Sequence, residues 1–242
     1  MFRLLISAIF FILFLTGCTE TIPDLEGSMV GYIRSLDEFA RFNNDEEGFR
    51  VTTRGAAYYT TETDKAGRFE FRDLPAGTYE LSIYKPGYGM MKEYSVQHLG
   101  GAPTILHLSA SEVSKYNLYR IPETRILDFS ISISKITVNF SFLSYMPEDM
   151  RVQVCFSDIM DFSEEEIKKT VNYTVRRNGD AYTATFYPGS FPFYQGQKIY
   201  MKARIFSWFS GGVSIYYDPL MGRNVYPNLG VESDEYSFIF EQ

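Results

Sequence analysis

Between Phe69 and Ile83 the chain alternates apolar and polar residues with a period of two. Phe69 and Phe71 oppose Glu70 and Arg72; Tyr79, Leu81 and Ile83 then oppose Glu80, Ser82 and Tyr84. That period sends successive side chains to opposite faces, so each run predicts a strand with one buried face. Asp64-Lys65-Ala66-Gly67 precedes the first run as a turn in which Gly67 supplies φ > 0. Leu74-Pro75-Ala76-Gly77 reverses the chain between the runs, and Lys85-Pro86-Gly87-Tyr88 ends the second. Residues 63–88 therefore read as a hairpin. Residues 29–34, 49–53, 56–61, 90–96 and 104–108 read as further strands, with Gly100-Gly101-Ala102-Pro103 as a turn. Leu36, Phe39 and Ala40 share a helical face, which predicts a short helical turn over 35–42. Residues 43–48 form a polar, acidic loop.

The same period governs the second half. Leu127, Phe129, Ile131 and Ile133 alternate with Asp128, Ser130, Ser132 and Ser134. The alternation restarts out of phase at Ile136, Val138, Phe140 and Phe142. A two-residue reversal at Ser134-Lys135 puts both apolar sets on one face, and a longer connection is the alternative. Val152, Val154 and Phe156 predict a third strand. Residues 163–170 read as helix: Ser163 and Glu166 have capping-box spacing, Glu164 and Glu165 suit the positive end, and Lys168 and Lys169 the negative end. Asn178-Gly179 is a strong hairpin turn joining 172–177 to 180–187. Residues 198–209, 213–217 and 236–240 complete the set.

Residues 63–88 resemble the carboxypeptidase regulatory-like domain, a transthyretin-like β-sandwich. The resemblance covers about the first third of the mature chain. It implies an add-on module rather than a catalyst. Gly31-Tyr32-Ile33 is a loose version of the Gly-x-Val strand that opens the family pattern, and residues 36–47 are a longer insertion. The second half is similar in pattern to a fibronectin type III or immunoglobulin-like sandwich. The expected fold is all-β: two tandem β-sandwich domains, at 26–116 and 117–242, after a signal peptide at 1–17 and a lipidated tether at 18–25.

The address rests on the amino terminus. Arg3 precedes an apolar run, residues 4–14, which is too short for a comfortable membrane span but fits a signal-peptide core. Leu15-Thr16-Gly17-Cys18 follows and resembles the bacterial lipobox, which implies cleavage before Cys18 and acylation of that residue. An ordinary signal peptide or an uncleaved anchor are the alternatives. Acyl chains contribute about 0.8 kcal/mol per buried CH₂, so two or three of them hold a protein on a membrane. Thr19 follows the cysteine where an inner-membrane retention signal has Asp, which implies the outer membrane. Acidic Glu20, Asp24 and Glu26 fit display at the cell surface, with the periplasmic face as the alternative. The other cysteine, Cys155, lies in an alternating apolar run and is expected to pack as a small hydrophobe rather than to react. With Cys18 acylated, no structural disulfide is expected.

Composition narrows the functions. Aromatics make up 17% of the 242 residues and charged residues 22%, which fits sandwich cores and argues against long disorder. The net charge of −7 with no basic run argues against nucleic acid and against an anionic lipid surface. His98 and His107 are the two histidines, and no His-Glu-x-x-His pattern is written. The Asp45-Glu46-Glu47 run lacks the spacing of a calcium loop and reads as a solvated loop. Capping accounts for most of the carboxylates near Asp158 and Asp161. No catalytic residue, metal or cofactor is expected.

Two segments carry more rings than a core needs: Phe191-Pro192-Phe193-Tyr194, and the stretch holding Trp208, Phe209, Tyr216 and Tyr217. Strand neighbours face opposite ways, so some of these rings lie at the surface unless loops such as 219–230 cover them. Tyr194, Trp208, Phe209, Tyr216 and Tyr217 are the candidate ligand residues, suited to stacking on sugar faces or docking a protein. The expected function is a non-enzymatic, lipid-anchored module that binds a glycan or a partner surface protein. The alternative is a structural spacer with no ligand. The tandem also resembles surface lipoproteins of glycan-foraging bacteria.

Overall fold

Among the described residues, eight strands build the first unit: β1 (Glu26–Leu36), β2 (Arg50–Gly55), β3 (Tyr59–Glu62), β4 (Arg68–Pro75), β5 (Gly77–Tyr84), β6 (Met91–His98), β7 (Thr104–Ile105) and β8 (Tyr116–Tyr119). The computed structural model describes residues 25–106, 116–132, 135–142, 145–186, 188–207 and 215–241. One sheet has β1 between β4 and, end to end along its other edge, β7 and β8; the facing sheet runs β3-β2-β5-β6. Their inner faces meet in a core that includes Met29, Ile33, Val51, Phe69, Phe71, Leu74, Tyr79, Leu81, Ile83 and Leu118. The alternating residues of β4 and β5 therefore point where the period requires.

The pairing partners differ from a hairpin. β4 bonds to β1, whereas β5 bonds to β2 and β6. Residues 74–77 are thus a corner that carries the chain from one sheet to the other. Apolar alternation fixes which face is buried, not which strand lies alongside. The corner is held by the Tyr79 hydroxyl donating to the Pro75 carbonyl at 2.6 Å and the Ala76 amide donating to Leu25 at 2.7 Å. The Asp64–Gly67 turn forms as expected, with the Gly67 amide on the Asp64 carbonyl at 2.9 Å and Gly67 at φ +75°.

Residues 35–42 are not helical. β1 continues through Leu36, which is buried in place of forming a helical face. Asp37 then turns the chain: its Oδ1 accepts the amides of Phe39 and Arg41, both at 2.9 Å. The acidic loop is tied down rather than merely solvated. Glu46 accepts Thr63 Oγ1 on its carbonyl at 2.5 Å, and Lys85 reaches Asp45 Oδ1 at 2.6 Å.

The second unit holds β9 (Arg125–Ser132), β10 (Lys135–Ser141), β11 (Asp149–Ser157), β12 (Lys169–Asn178), β13 (Ala181–Thr185), β14 (Lys198–Ile205), the small hairpin β15 (Tyr216–Asp218) and β16 (Arg223–Val225), and β17 (Tyr236–Ile239). Seven of them form one continuous sheet in the order β17-β14-β11-β12-β13-β10-β9. β12 bonds to β11 along most of its length and to β13 at its end, so it carries the sheet around from one layer to the next. The two outer strands then come together, with the Phe129 and Tyr236 rings 5.5 Å apart. The result is a fibronectin-like sandwich around Phe129, Ile136, Val138, Val152, Val154, Phe156, Tyr182, Ile199, Met201 and Phe240.

Here too the period sets faces while local events move individual residues. Lys135 pairs with Ser132, so the β9–β10 reversal falls one residue earlier than the sequence suggested. A bulge between Asn139 and Phe140 shifts the register, turning Ile126 onto the core and leaving Leu127 65% exposed. Asn178-Gly179 makes its turn, with Gly179 at φ +66°. The expected helix over 163–170 shrinks to one 3₁₀ turn, Glu164–Glu166. Its capping interaction is present, with the Ser163 amide donating to Glu166 Oε2 at 2.8 Å. Lys169 already belongs to β12, because pairing with β11 overrides the weak helical preference.

A residue on Gly67 tests the packing of its turn. A Cβ there falls 2.2 Å from the Ile33 carbonyl oxygen, whereas at Gly48, also left-handed at φ +79°, it meets nothing within 4 Å. Gly48→Ala is expected to cost about 1 kcal/mol, the left-handed strain alone, and Gly67→Ala about 3 kcal/mol or more. Urea unfolding of both variants checks this; equal losses contradict the close approach.

Candidate functional site

The outer face of the second sheet is polar by the same alternation that makes its inner face apolar. β11 buries Val152, Val154 and Phe156 and turns Gln153 and Cys155 outward; β14 buries Ile199, Met201, Ala203 and Ile205 and turns Lys202 and Arg204 outward. Asn172 of β12 completes this floor. Cys155 is thus not part of the core but lies on this floor, its Sγ 3.7 Å from Thr170 Oγ1. Burial pushes its thiol up, which favours the neutral thiol near neutral pH.

Two segments rise over the floor. Residues 158–168 bring Phe162, buried beneath Lys202, whose Nζ lies 5.0 Å from the ring centre, and place Glu164 at the rim. On the other side stands the β15–β16 hairpin. Asp218 shapes its tip: Oδ1 accepts the amides of Leu220 at 2.9 Å and Met221 at 3.2 Å, and its carbonyl accepts Gly222 at 2.8 Å. Burial raises the Asp218 carboxyl, but the Met221 amide, the neighbouring Tyr94 hydroxyl and the Leu220 amide together hold it below the usual carboxylate range.

The groove between these walls has a volume of about 800 Å³, within the range of small-molecule sites. Many of its polar groups are donors and acceptors on planar side chains, joined by Lys202 and Thr170. Gln153 Nε2 donates to Asn172 Oδ1 at 3.4 Å, and Asn172 Nδ2 to the Tyr226 hydroxyl at 3.1 Å. Tyr226 in turn sets its ring against Phe206, centroids 5.8 Å apart. Arg204 gives Nε and a terminal nitrogen to Glu232 Oε2 at 2.9 and 2.5 Å and its other terminal nitrogen to Glu164 Oε1 at 3.3 Å. Arg223 of the hairpin reaches the other oxygen of Glu164 at 3.2 Å. Hydrogen bonds from Arg223 and Arg204 hold the Glu164 carboxyl below the ordinary glutamate range, so near neutral pH it has no proton to deliver as a general acid. Among the described residues no group of three or more His, Cys, Asp or Glu is placed to hold a metal ion.

The groove sits beside the junction of the two units. Tyr216 packs on Tyr94 of β6, centroids 6.4 Å apart. Ser207 donates to the Glu38 carbonyl at 2.7 Å, Glu38 accepts the Thr124 amide at 2.9 Å, and the Gly89 backbone lies so near Pro227 that a Cβ there falls 2.1 Å from its carbonyl oxygen.

The aromatic candidates are distributed differently from one another. Phe191 and Phe193 join the core beside Phe240, leaving Tyr194 outside at 80% exposure. Tyr194 lies before β14, at the end where Gln197 bonds Asp158; the hairpin meets the first unit near the opposite end. The length of β14 separates them, roughly 25 Å. Tyr216 is half-buried on Tyr94, and Tyr217 is 58% exposed. Cys18, Trp208 and Phe209 lie outside the described residues, as does His107. The groove residues Gln153, Asn172, Arg204, Arg223 and Tyr226 were not singled out from sequence. The outward half of the β11 and β14 alternation was a readable signal; the hairpin that roofs it was not.

Residues 29–97 match the family model described as polysaccharide lyase family 4, domain II, a fibronectin-type module. The match covers most of the first unit and less than half of the chain. No curated protein matches. Among solved structures, a cohesin–X-dockerin complex of Acetivibrio cellulolyticus is similar at 23% identity over 39% of this chain and 58% of that chain, with a TM-score of 0.31. This chain thus spans under two thirds of that relative. A proposed carbohydrate-binding protein of Bacteroides uniformis is similar at 14% identity over 89% of this chain and 99% of that one, TM-score 0.28. A DUF3823 family protein of Bacteroides ovatus is similar at 9% identity over 89% and 100%, TM-score 0.29.

Glu164 gives the site a pH signature. Its folded pKa is depressed, so its ionised form adds stability above the unfolded carboxylate value of about 4.3, and that gain is lost as pH falls through the lower folded value. The carboxylate is half-exposed, so the gain is small, below about 1 kcal/mol. Glu164→Gln is expected to unfold at slightly lower urea than the parent at pH 7, with the difference shrinking as pH falls below the ordinary carboxylate range. A difference that does not shrink on acidification contradicts the pairing.

Proposed function

We propose that this protein is a non-catalytic, lipid-anchored surface module of a glycan-foraging bacterium, and that its second sandwich binds a saccharide in the groove over β11, β12 and β14. The observation that carries this reading is the groove itself: open, about 800 Å³, and lined by the amides and guanidiniums of four strands, the Tyr226 hydroxyl just past β16, and the carboxylates paired with them. Such flat, paired donors and acceptors suit the hydroxyl edges of sugars. The match of the first unit to a domain of polysaccharide lyases supports a sugar-associated setting.

The anchor supports display. The Leu15-Thr16-Gly17-Cys18 lipobox resemblance places the lipid seven residues before Leu25. β1 starts at the next residue, Glu26, and runs to the junction; its 11 residues span roughly 35 Å. The second unit is then held beyond the first, away from the membrane. Outer-membrane attachment facing outward is the reading in keeping with Thr19 and the acidic tether.

A second reading is favoured by the hairpin tip, where Tyr217, Leu220 at 88% and Met221 at 61% exposure stand out from a turn fixed by Asp218. That tip suits a protein partner.

A glycan array followed by calorimetry on hits separates these. Under the saccharide reading Asn172→Ala lowers affinity at least tenfold, about 1.4 kcal/mol, while Tyr194→Ala leaves it unchanged. Binding that survives Asn172→Ala and is lost in Tyr194→Ala moves the site to the far loops. A blank array together with a crosslinked partner at Leu220 favours the hairpin tip. For the anchor, Cys18→Ala should abolish labelling by radioactive palmitate and release the protein from membranes; retained labelling contradicts lipidation at Cys18.

A further inference from the structure

The ion pairs of the groove are not arranged alike. Glu232 pairs with Arg204 alone of the two guanidiniums, but Glu164, on a three-residue turn at the rim, spans both: Arg204 of the sheet floor and Arg223 of the hairpin wall. Its Oε1 takes Arg204 of the sheet at 3.3 Å and its Oε2 takes Arg223 of the hairpin at 3.2 Å. The Glu164 side chain is 53% exposed and Arg223 59%. One carboxylate therefore links floor and hairpin wall at the rim of the groove, with one oxygen to each guanidinium.

We propose that the groove takes a saccharide bearing a carboxylate, a uronic acid unit, and that in the free protein Glu164 occupies the place this carboxylate takes. The inference rests on the saccharide reading above. Three features carry it. The two guanidiniums are set at a spacing that one carboxylate bridges, and their planar forks favour that group. The exchange is neutral in charge: one carboxylate leaves for solvent as another enters, so no new charge is left uncompensated in the groove. Glu164 moves without unfolding its turn, because Glu166 holds the turn through Ser163 independently, at 2.8 Å to the amide and 3.0 Å to the hydroxyl. After the exchange, the exposed Asn172 amide, backed by buried Gln153, and the Tyr226 hydroxyl face the neighbouring sugar hydroxyls.

An internal competitor makes an unusual prediction: its removal tightens binding. Calorimetry on the full chain in detergent would use trigalacturonate, its methyl ester, a sulfated disaccharide and a neutral oligosaccharide of similar length. Glu164→Ala is expected to strengthen trigalacturonate binding roughly tenfold and to leave the neutral ligand unaffected, with Glu164→Gln behaving alike as a check on folding. Arg223→Ala should weaken trigalacturonate at least tenfold and abolish its advantage over the methyl ester. Weaker trigalacturonate binding in Glu164→Ala, or equal binding of acid and ester by the parent, overturns the proposal. A sulfated ligand that binds as well as the uronate and gains equally from Glu164→Ala overturns the assignment to a carboxylate. If neutral saccharides bind the groove without preference for acid, this inference alone fails. If no saccharide binds, the functional reading beneath it fails as well.

Discussion

The pleat of β11 and β14 is the constraint on which the rest of the second unit depends. Burying Val152, Val154 and Phe156 beside Ile199, Met201, Ala203 and Ile205 obliges Gln153, Cys155, Lys202 and Arg204 to face the other way. A sheet face so polar needs no cover to be soluble. The chain nevertheless lays residues 158–168 and the β15–β16 hairpin along it, pinned by Asp218 and by ion pairs to Glu164. That leaves a walled groove whose polar groups are paired with one another on the strands and segments that carry them.

The junction explains why the hairpin stands where it does. Glu38 follows the end of β1 and accepts from both Thr124 and Ser207, so one residue of the first unit ties the entrance of the second unit to the end of β14. Tyr216 then rests on Tyr94, and Pro227 passes over Gly89 where only a residue without a side chain leaves room. The first unit is thereby part of the groove's construction as well as its support: it holds one end of the segment from which Arg223 and Tyr226 project.

How much of this was legible in the sequence follows from the range of the forces involved. Turns set by one or two residues, at Gly67 and Asn178-Gly179, were readable, as were the buried faces of β4, β5, β10 and β11. What pairing decides was not. The supposed hairpin of 63–88 became a corner because period two names a face and leaves the neighbouring strand open. A single bulge at Asn139 exchanged Leu127 for Ile126 at the core, and strand pairing at Lys169 cut a capped helix to one turn. The aromatic segments divided for the same reason: Phe191 and Phe193 found a core that no local pattern announces, and Tyr194 was left outside. The groove was half legible. Its floor follows from alternation, but its walls come from Glu164 and Arg223, 59 residues apart, and their meeting is a tertiary event.

Where a ligand lies decides what the groove is for. The direct measurement is a crystal structure of the full chain, or of its processed form, with a bound oligosaccharide. The account predicts sugar between β14 and β16, touching Asn172 and Arg223, with the first unit free of ligand. Sugar seated against Tyr194 and the far loops, or on the first unit, with the groove over β11 unoccupied, contradicts it.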